Sequence, residues 1–167
     1  MHDALQSGCR AAAIDHSPDM VKLAREVNHE AIQQNRLEIR EGDAGSLPYP
    51  DGIFTCAVTT GVFGFISNPL QVLSEIRRVL SPGGRLVLFT GSKELRGTPA
   101  APEPIASRLY FYEDHELEEL ARKAGFSDAH LERPDFEPLA REAGIPEEHL
   151  ELFKARAGGQ LLLARKD

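Results

Sequence analysis

Two aspartates each follow a short strand-like segment near the start of the chain. Asp15 ends the apolar run AAAI at 11–14, and Asp43 follows the alternating segment LEIRE at 37–41 after one glycine. A carboxylate offers two acceptor oxygens, so it can hold two neighbouring hydroxyl groups. In nucleotide-type α/β folds an acid at the end of the second strand holds a ribose in this way. Asp15 is therefore a candidate ribose ligand.

A capped helix is predicted directly after Asp15. Ser17 is a good N-cap because its hydroxyl can accept a backbone N–H, and Pro18 fits the first helical position. Apolar residues from Met20 onward recur at helical spacing to about residue 34, which predicts one helix. Two structural alternatives stay open: helical phase alone puts Met20 in the core, and Asp43 can form a turn through its own backbone contacts.

Strands and helices alternate along the rest of the chain, which favours a parallel sheet covered by helices. Strands are predicted at 53–59, 85–90, 129–132 and 160–165, and helices at 68–80, 113–124, 138–143 and 146–157. The segment SPGG at 81–84 is predicted to end a helix in a turn. We expect a single domain over 1–167, with a mobile loop at 91–112 and a helical insertion at 134–158.

The composition is that of an ordinary globular protein and excludes several function classes. The 167 residues are 41% hydrophobic and 27% charged, with a formal net charge of -7. This acidic balance argues against nucleic-acid and anionic-membrane partners, and no apolar run approaches the ~20 residues of a membrane helix. Cys9 and Cys56 predict two reduced thiols in a cytoplasmic protein. No cysteine or histidine has metal-ligand spacing, so no metal site is expected.

Four segments form a recognisable series along the chain. They are AIDHSPDM at 13–20, EGDAGSLPYPDGIF at 41–54, NPLQVLSEIRRVLSPGGRLVL at 68–88 and ELEELARKAGF at 116–126. In this order and with these gaps they resemble the class I S-adenosylmethionine-dependent methyltransferases, in the small-molecule branch. The resemblance implies a Rossmann-like α/β fold with helices on both faces of a mostly parallel sheet, whose last strand, QLLLAR at 160–165, is antiparallel. It also implies S-adenosylmethionine as cofactor, S-adenosylhomocysteine as product and a small-molecule acceptor.

The resemblance further implies a set of cofactor-binding residues. Asp15 occupies the position that takes both ribose hydroxyls. The positions along the adenine are matched by His16, Ser17 and Met20. The positions that hold the adenine edge are matched by Asp43 and Ala44, and the positions that face the methionine part are matched by Thr59 and Thr60. No residue is identified as catalytic. Four residues in or after the predicted loop lie where acceptor residues often sit, and none stands out as a base: Glu103, Tyr110, Tyr112 and Glu113.

The sequence departs from the family pattern at its beginning. The family's first strand and its G-x-G-x-G loop would precede residue 2, and Gly8 is the only glycine before the strand that Asp15 ends. Losing two hydrogen bonds to a charged ligand would weaken binding by ~3–6 kcal/mol, or ~10²–10⁴ in Kd. A sheet without its central strand also leaves unpaired edges. We therefore expect an impaired cofactor site and a homodimer, for example a strand-swapped one.

A second departure follows the fourth strand of the family pattern. Many members carry a His-His-type pair there, whereas this chain has Gly64 and Phe65 within the segment GVFGF at 61–65. The change removes a candidate base. It leaves apolar side chains that either form a wall for a lipophilic or aromatic acceptor or belong to the core.

Three hypotheses about function stay open on the sequence. The first is a methyltransferase whose N-terminal part is absent from this sequence. The second is a catalytically dead methyltransferase-like domain that works as a binding or dimerisation module. The third is a nicotinamide-type Rossmann oxidoreductase, since an acid after the second strand is shared with that class. The third is the weakest because it needs the same missing loop and does not account for SPGG at 81–84 or QLLLAR at 160–165.

Overall fold

The computed structural model describes residues 8–155 and 159–167. The chain divides into two compact units, Met1–Tyr49 and Pro50–Asp167, each described here by itself. The sequence HDALQSG at 2–8 is typical of the end of a helix closed at Gly8, and of these residues the structure describes only Gly8. Part of the helix predicted at 146–157 also lies outside the described residues. The predicted extents of the single domain, the mobile loop and the helical insertion stay predictions.

The first unit is a parallel strand pair with two helices. It contains β1 (Ala11–Asp15), α1 (Pro18–Val27), α2 (His29–Gln33) and β2 (Leu37–Glu41). β1 and β2 pair in register along their whole length. The alternation in β2 buries Leu37 and Ile39, and these residues join a small core. That core consists of Val21, Ala31, Leu37 and Ile39.

The single helix predicted over this stretch is broken at Asn28. The Asn28 backbone N–H and side-chain Nδ2 both donate to the carbonyl oxygen of Ala24, at 3.1 and 2.8 Å. Asparagine competes in this way with the regular helical pattern, so it favours helix ends over helix interiors. The result is a C-cap for α1 and a separate five-residue α2.

The second unit is a four-stranded mixed sheet with helices. Its regular elements are β3 (Phe54–Thr60), α3 (Pro69–Val79), β4 (Leu80–Thr90), α4 (Asp114–Lys123), β5 (Ser127–Glu132), α5 (Glu137–Glu142) and β6 (Gln160–Arg165). Four 3-10 segments lie at Phe63–Phe65, Lys93–Leu95, Ala106–Arg108 and Glu147–Phe153. The strand order is β3-β4-β6-β5. β3 and β4 are parallel, whereas β6 runs antiparallel to both β4 and β5, which confirms the α/β class and the antiparallel last strand.

The segment predicted as a turn at 81–84 forms the irregular start of β4, before regular pairing begins at Arg85. Leu80 pairs with Phe54 and Arg85 pairs with Cys56, so four β4 residues lie opposite the single residue Thr55 and β4 has three extra residues. Gly83 N donates to the carbonyl oxygen of Lys166 at 2.7 Å, and Lys166 N donates to that of Gly84 at 2.9 Å. Gly83 has a φ of 75°, in the left-handed region that favours glycine, and the chain after β6 satisfies backbone groups of this irregular segment.

The core of the second unit forms where α3 and α4 meet the sheet. Its fully buried leucines come from both helices and two strands: Leu73, Leu80, Leu86, Leu88, Leu117 and Leu162. α4 begins with a capping box, in which Glu113 N donates to Glu116 Oε2 at 2.8 Å. None of the described helices is long and apolar enough to cross a membrane.

Each sheet has two edge strands within the described part of the chain, β1 and β2 in the first and β3 and β5 in the second, and each of these strands has one unpaired edge. There, β1 is hydrogen-bonded only to β2, and β3 pairs only with β4. β3 carries Val58, which is 66% exposed. An unpaired strand with exposed apolar residues offers free backbone donors and acceptors to another strand. The homodimer expected from the sequence stays a prediction.

Candidate functional site

The carboxyl edge of the β1–β2 pair brings Asp15 and Asp43 together. Asp15 pairs with Glu41 in the parallel register, and Gly42 N donates to the carbonyl oxygen of Asp15 at 3.0 Å. Asp43 follows directly. In parallel sheets the loops at the carboxyl ends are the usual ligand-binding region. We call Asp15, His16, Ser17, Met20, Asp43 and Ala44 the polar edge.

Asp15 presents a partly exposed carboxylate that its own turn holds in place. Its Oδ1 accepts a hydrogen bond from Ser17 N at 2.8 Å, and its side chain is 40% exposed. Oδ2 has no hydrogen-bond partner within residues 8–155 and 159–167. His16 is largely exposed, with Nδ1 3.7 Å from Asp15 Oδ1. The carboxylate is therefore fixed but still able to accept hydrogen bonds from a ligand.

Ser17 and Met20 lie at the start of α1. Ser17 is its N-cap, and its Oγ accepts a long hydrogen bond of 3.4 Å from Met20 N. The interpretation of Met20 as a core residue is wrong, because its side chain is 50% exposed. Val21, the next residue, takes the buried position instead. Met20 thus offers a soft apolar surface beside the N-terminus of a ten-residue helix.

Asp43 forms a turn through its own backbone contacts, which is the structural alternative that the sequence left open. Its Oδ1 accepts from Gly45 N at 2.8 Å, and Ser46 N donates to its carbonyl oxygen at 3.0 Å. The Asp43 side chain is otherwise exposed, and the Ala44 N–H has no acceptor within the part of the chain that the structure describes. One carboxylate oxygen and one backbone donor thus remain available side by side. This pair of groups fits an adenine edge, which presents both a donor and an acceptor.

Thr59 and Thr60 belong to the second unit, at the carboxyl end of β3. They pair with Leu88 and Phe89 of β4. Thr59 is half-buried and Thr60 is exposed. The polar edge and these two threonines are therefore each placed at the carboxyl end of a parallel strand pair. The cofactor-binding roles of all eight residues stay predictions.

The apolar segment GVFGF after β3 divides between core and surface. Phe63 is fully buried and its ring lies 5.4 Å from that of Tyr112, between centroids. Phe65 is 55% exposed. Gly64 leaves little room for a side chain, because a Cβ there would lie 3.0 Å from Tyr110 O and 3.1 Å from Leu109 Cδ2. Gly61 and Gly64 line the apolar cavity described next, whereas Phe63 belongs to the core and Phe65 to the surface.

A cavity of about 260 Å³ lies at the carboxyl ends of β3 and β4, within the second unit. Its aromatic wall comes from Phe89 at the end of β4 and from Phe111, Phe136 and Phe153, which lie far apart in sequence. Sequence analysis did not single out these residues. Phe89 lies in an apolar strand, Phe111 lies between two tyrosines, and Phe136 and Phe153 lie among charged residues, so no shared sequence signal identifies a common location.

The acids and tyrosines near this region already have structural partners. Tyr110 Oη donates to Glu116 Oε1 at 3.2 Å, and the negative charge of Glu116 raises the pKa of Tyr110. Burial raises the pKa of Tyr112. Glu103 Oε2 accepts from Ser107 N at 3.1 Å, and Glu113 pairs with Lys93 at 2.5 Å. A tyrosine whose pKa is raised is a poor base near neutral pH, so no catalytic residue is assigned.

An ion-pair network ties the segment before α4 to the sheet. Arg133 donates to Asp114 through Nη2 to Oδ1 at 2.6 Å and through Nε to Oδ2 at 3.1 Å. Gln160, fully buried at the start of β6, donates through Nε2 to Asp114 Oδ1 and to the Tyr112 carbonyl oxygen. The Arg133 hydrogen bonds lower the pKa of Asp114. The network fixes the chain that carries Tyr110 and Phe111 into the cavity region.

Comparisons with known proteins agree with this architecture. A family model described as a methyltransferase domain matches residues 1–88. A demethylmenaquinone methyltransferase from Lactiplantibacillus plantarum is 31% identical over 163 residues, covering 79% of this chain and 66% of that protein. The chain spans from 24% to 66% of the length of the curated relatives that it first matches.

Two solved structures share the fold over nearly the whole chain. The crystal structure of the (4+2)-cyclase SpnF has a TM-score of 0.70 at 26% identity, covering 95% of this chain and 67% of that one. A phosphoethanolamine N-methyltransferase 2 from Haemonchus contortus, in complex with phosphomonomethylethanolamine and S-adenosylhomocysteine, has a TM-score of 0.74 at 20% identity. It covers 99% of this chain and 46% of that one. The second likeness concerns the fold alone.

Proposed function

Because this chain belongs to the methyltransferase domain family, whose cofactor is S-adenosylmethionine, we propose that it transfers a methyl group from that cofactor to a small-molecule acceptor. The observation that carries the proposal is the Asp15 carboxylate. It lies at the carboxyl end of a parallel strand, is fixed by Ser17 N and retains a second oxygen toward solvent. This arrangement suits a ribose diol, which needs two acceptors at one place.

The remaining polar-edge groups fit the rest of an adenosine. Met20 offers an exposed apolar surface for the ring, and His16 and Ser17 lie between it and Asp15. Asp43 and the Ala44 N–H provide an acceptor and a donor for the adenine edge. In the second unit, Thr59 and Thr60 are proposed to face the methionine part.

Methyl transfer requires little from the protein beyond the positioning of the cofactor and the acceptor. When bound, S-adenosylmethionine supplies a methyl carbon on a positively charged sulfur, and its transfer leaves neutral S-adenosylhomocysteine and a methylated acceptor. The chain's own residues have to hold the acceptor atom in line with that carbon and keep water away. Apolar side chains around the acceptor serve the second need. A base is required only where the acceptor must lose a proton.

Calorimetric titration with S-adenosylhomocysteine tests the cofactor site directly. We expect saturable binding by the full chain and a Kd about 10- to 150-fold weaker for Asp15→Asn, because a charged acceptor contributes ~1.5–3 kcal/mol. Asp19→Asn is the matched control: it removes the same charge in the first turn of α1, outside the polar edge. We expect Asp19→Asn to bind like the unaltered chain.

Three results would separate this proposal from its competitors. Equal weakening by both variants would indicate a general charge effect and would contradict the ribose role of Asp15. Absence of saturable binding at millimolar ligand would contradict cofactor use. Binding without transfer to any of a broad set of phenols, amines and thiols would favour a binding module over an enzyme.

A dimerisation module is the second candidate, favoured by the unpaired edge of β3. That edge carries Val58, 66% exposed, on a strand with one described partner. A second copy of the chain could add a strand there, as in other cases of β-strand addition. Sedimentation at several concentrations tests it: a monomer at all of them would contradict the dimer. A cytoplasmic location, consistent with two free cysteines, is part of the proposal.

A further inference from the structure

The cavity at the carboxyl ends of β3 and β4 has an unusual lining for a surface site. Its apolar wall consists of Phe89, Leu95, Phe111, Phe136, Leu152 and Phe153. The polar side chains of the lining are those of Thr90 and Tyr110, and no lining residue carries a formal charge. The chain as a whole is 27% charged with a net charge of -7. An uncharged, phenylalanine-rich cavity in such a chain selects against charged ligands.

The wall is held in shape by close packing around two glycines. A Cβ on Gly159 would lie 2.5 Å from the Phe89 ring, so only glycine lets that ring occupy its place. A Cβ on Gly91 would lie 3.2 Å from Leu95 Cδ1. Phe89 and Phe136 pack edge to face, with centroids 5.5 Å apart and planes at 86°. Edge-to-face geometry is the preferred one for aromatic rings, so a further ring can join the cluster.

The cavity has a buried floor and a partly exposed rim. Leu95, Ala101 and Ala106 form a buried cluster against which Leu109, Phe111 and Leu152 pack. Phe89, Phe111, Phe136 and Phe153 are only half-buried. Their uncovered ring surface is apolar area that a ligand can remove from water.

We propose that this cavity binds a neutral, fused two-ring aromatic or quinoid group, which under the proposed function is the methyl acceptor. The size argument is direct. An apolar cavity of about 150 Å³ holds one benzene ring. This cavity, at about 260 Å³, has room for a second fused ring. The identification of the bound ring as the methyl acceptor rests on the proposed function. The binding of a ring at this site rests on the cavity itself.

A cationic occupant is the competing chemistry, since aromatic rings also attract ammonium groups. Trp is the strongest partner in such sites. The chain has no tryptophan, and no carboxylate lines this cavity. A buried ammonium group without a paired charge loses much of its hydration energy. A neutral ring therefore fits the lining better than a choline-like cation.

Calorimetric titration with 2-naphthol, phenol and choline tests the proposal on the full chain. We expect one saturable site for 2-naphthol, weaker binding of phenol and no binding of choline. Leu152→Trp places extra volume in the cavity and should weaken 2-naphthol binding about tenfold or more. Leu139→Trp is the matched control, because Leu139 belongs to the same C-terminal segment but is 61% exposed and lies outside the cavity.

The outcomes decide the proposal in each case. Equal 2-naphthol binding by Leu152→Trp and Leu139→Trp, or binding of choline tighter than 2-naphthol, would overturn it. If Leu152→Trp does not fold, as judged by circular dichroism, Ala100→Phe at the exposed rim replaces it, and unchanged binding by that variant would overturn the proposal.

Parallel titration with S-adenosylhomocysteine separates the two proposals. Cofactor binding that depends on Asp15, together with no 2-naphthol binding, would overturn the ring site and leave methyl transfer in place. Binding of 2-naphthol that responds to Leu152→Trp, together with no cofactor binding, would support the ring site and contradict the proposed function.

Discussion

Two parallel strand pairs in this chain end in opposite chemistry. The β1–β2 pair ends in the polar edge, where Asp15 and Asp43 point carboxylates toward solvent. The β3–β4 pair ends in an uncharged cavity with phenylalanine side chains. The backbone geometry of the two ends is the same, because both are carboxyl ends of parallel strands. The comparison indicates that the carboxyl ends of the strands provide the location of a binding site, whereas the side chains at each end determine which ligand binds there.

The two ends also differ in how they are built. At the polar edge each acid is held by a backbone N–H two residues later, Ser17 N for Asp15 and Gly45 N for Asp43. At the cavity the fixing contacts are long-range, such as Gln160 Nε2 to the Tyr112 carbonyl oxygen, 48 positions apart. Local contacts preset the polar edge, whereas the cavity exists only once distant segments have packed.

The largest expected effect concerns the framework beneath the cavity. We expect Phe63→Ala to lower the free energy of unfolding by ~3–5 kcal/mol, because this fully buried ring packs against Tyr112 and its loss leaves a void. Urea unfolding followed by circular dichroism measures it. Phe65→Ala, at a ring that is 55% exposed in the same turn, should change stability by less than ~0.5 kcal/mol. Equal losses in both variants would mean that the two rings are equivalent.

A smaller effect on stability is expected when a methyl group is added to one glycine near the carboxyl end of each strand pair. We expect Gly64→Ala to cost ~1–3 kcal/mol, because the new methyl would lie 3.0 Å from the Tyr110 carbonyl oxygen and 3.1 Å from Leu109. At Gly42 the nearest atom to a new methyl is Ile14 Cγ2 at 3.4 Å, an ordinary contact.

Gly42→Ala should therefore be neutral or stabilising by up to ~1 kcal/mol, because alanine restricts the unfolded chain. Thermal and urea unfolding of the two variants side by side provide the measurement. A greater loss at Gly42 than at Gly64 would contradict the view that the cavity end is the more tightly packed of the two.

The smallest expected effect is a pH dependence at the network before α4. The Arg133 hydrogen bonds hold the pKa of Asp114 below its usual value near ~3.9. A lowered folded-state pKa contributes stability above the unfolded value, and that contribution is lost as the pH falls through the folded value. The effect is modest because the Asp114 side chain is 47% exposed.

Urea unfolding of the unaltered chain and of Asp114→Asn, from about pH 6 to about pH 3, measures this contribution. We expect the difference in free energy of unfolding to be largest at the upper end and to shrink below about pH 4. A difference that stays constant over the whole range would show that the carboxylate charge does not stabilise the fold.

The sequence predicted the polar edge because its signals are local. The run AAAID with Ser17 and Pro18 behind it predicted a strand, a strand-end acid and a helix N-cap, and the structure has all three. Six strands were expected near their observed positions for the same reason, since alternation and apolar runs determine them residue by residue. The errors also have local causes, as at Asn28, whose side chain ends a helix that the apolar spacing alone would continue.

Only the tertiary structure decided the cavity. Phe89, Phe111, Phe136 and Phe153 become neighbours because β6 inserts beside β4 and the Asp114–Arg133–Gln160 network anchors the intervening chain. The same packing decided that Phe63 is core and Phe65 is surface, although the two lie one residue apart. The spacing of residue types along a chain reflects contacts within a few residues. For this reason the sequence by itself determined the family, the fold class and the acids at the strand ends. Contacts between distant segments have no such period, and the shape and size of the apolar cavity were therefore set only when the chain folded.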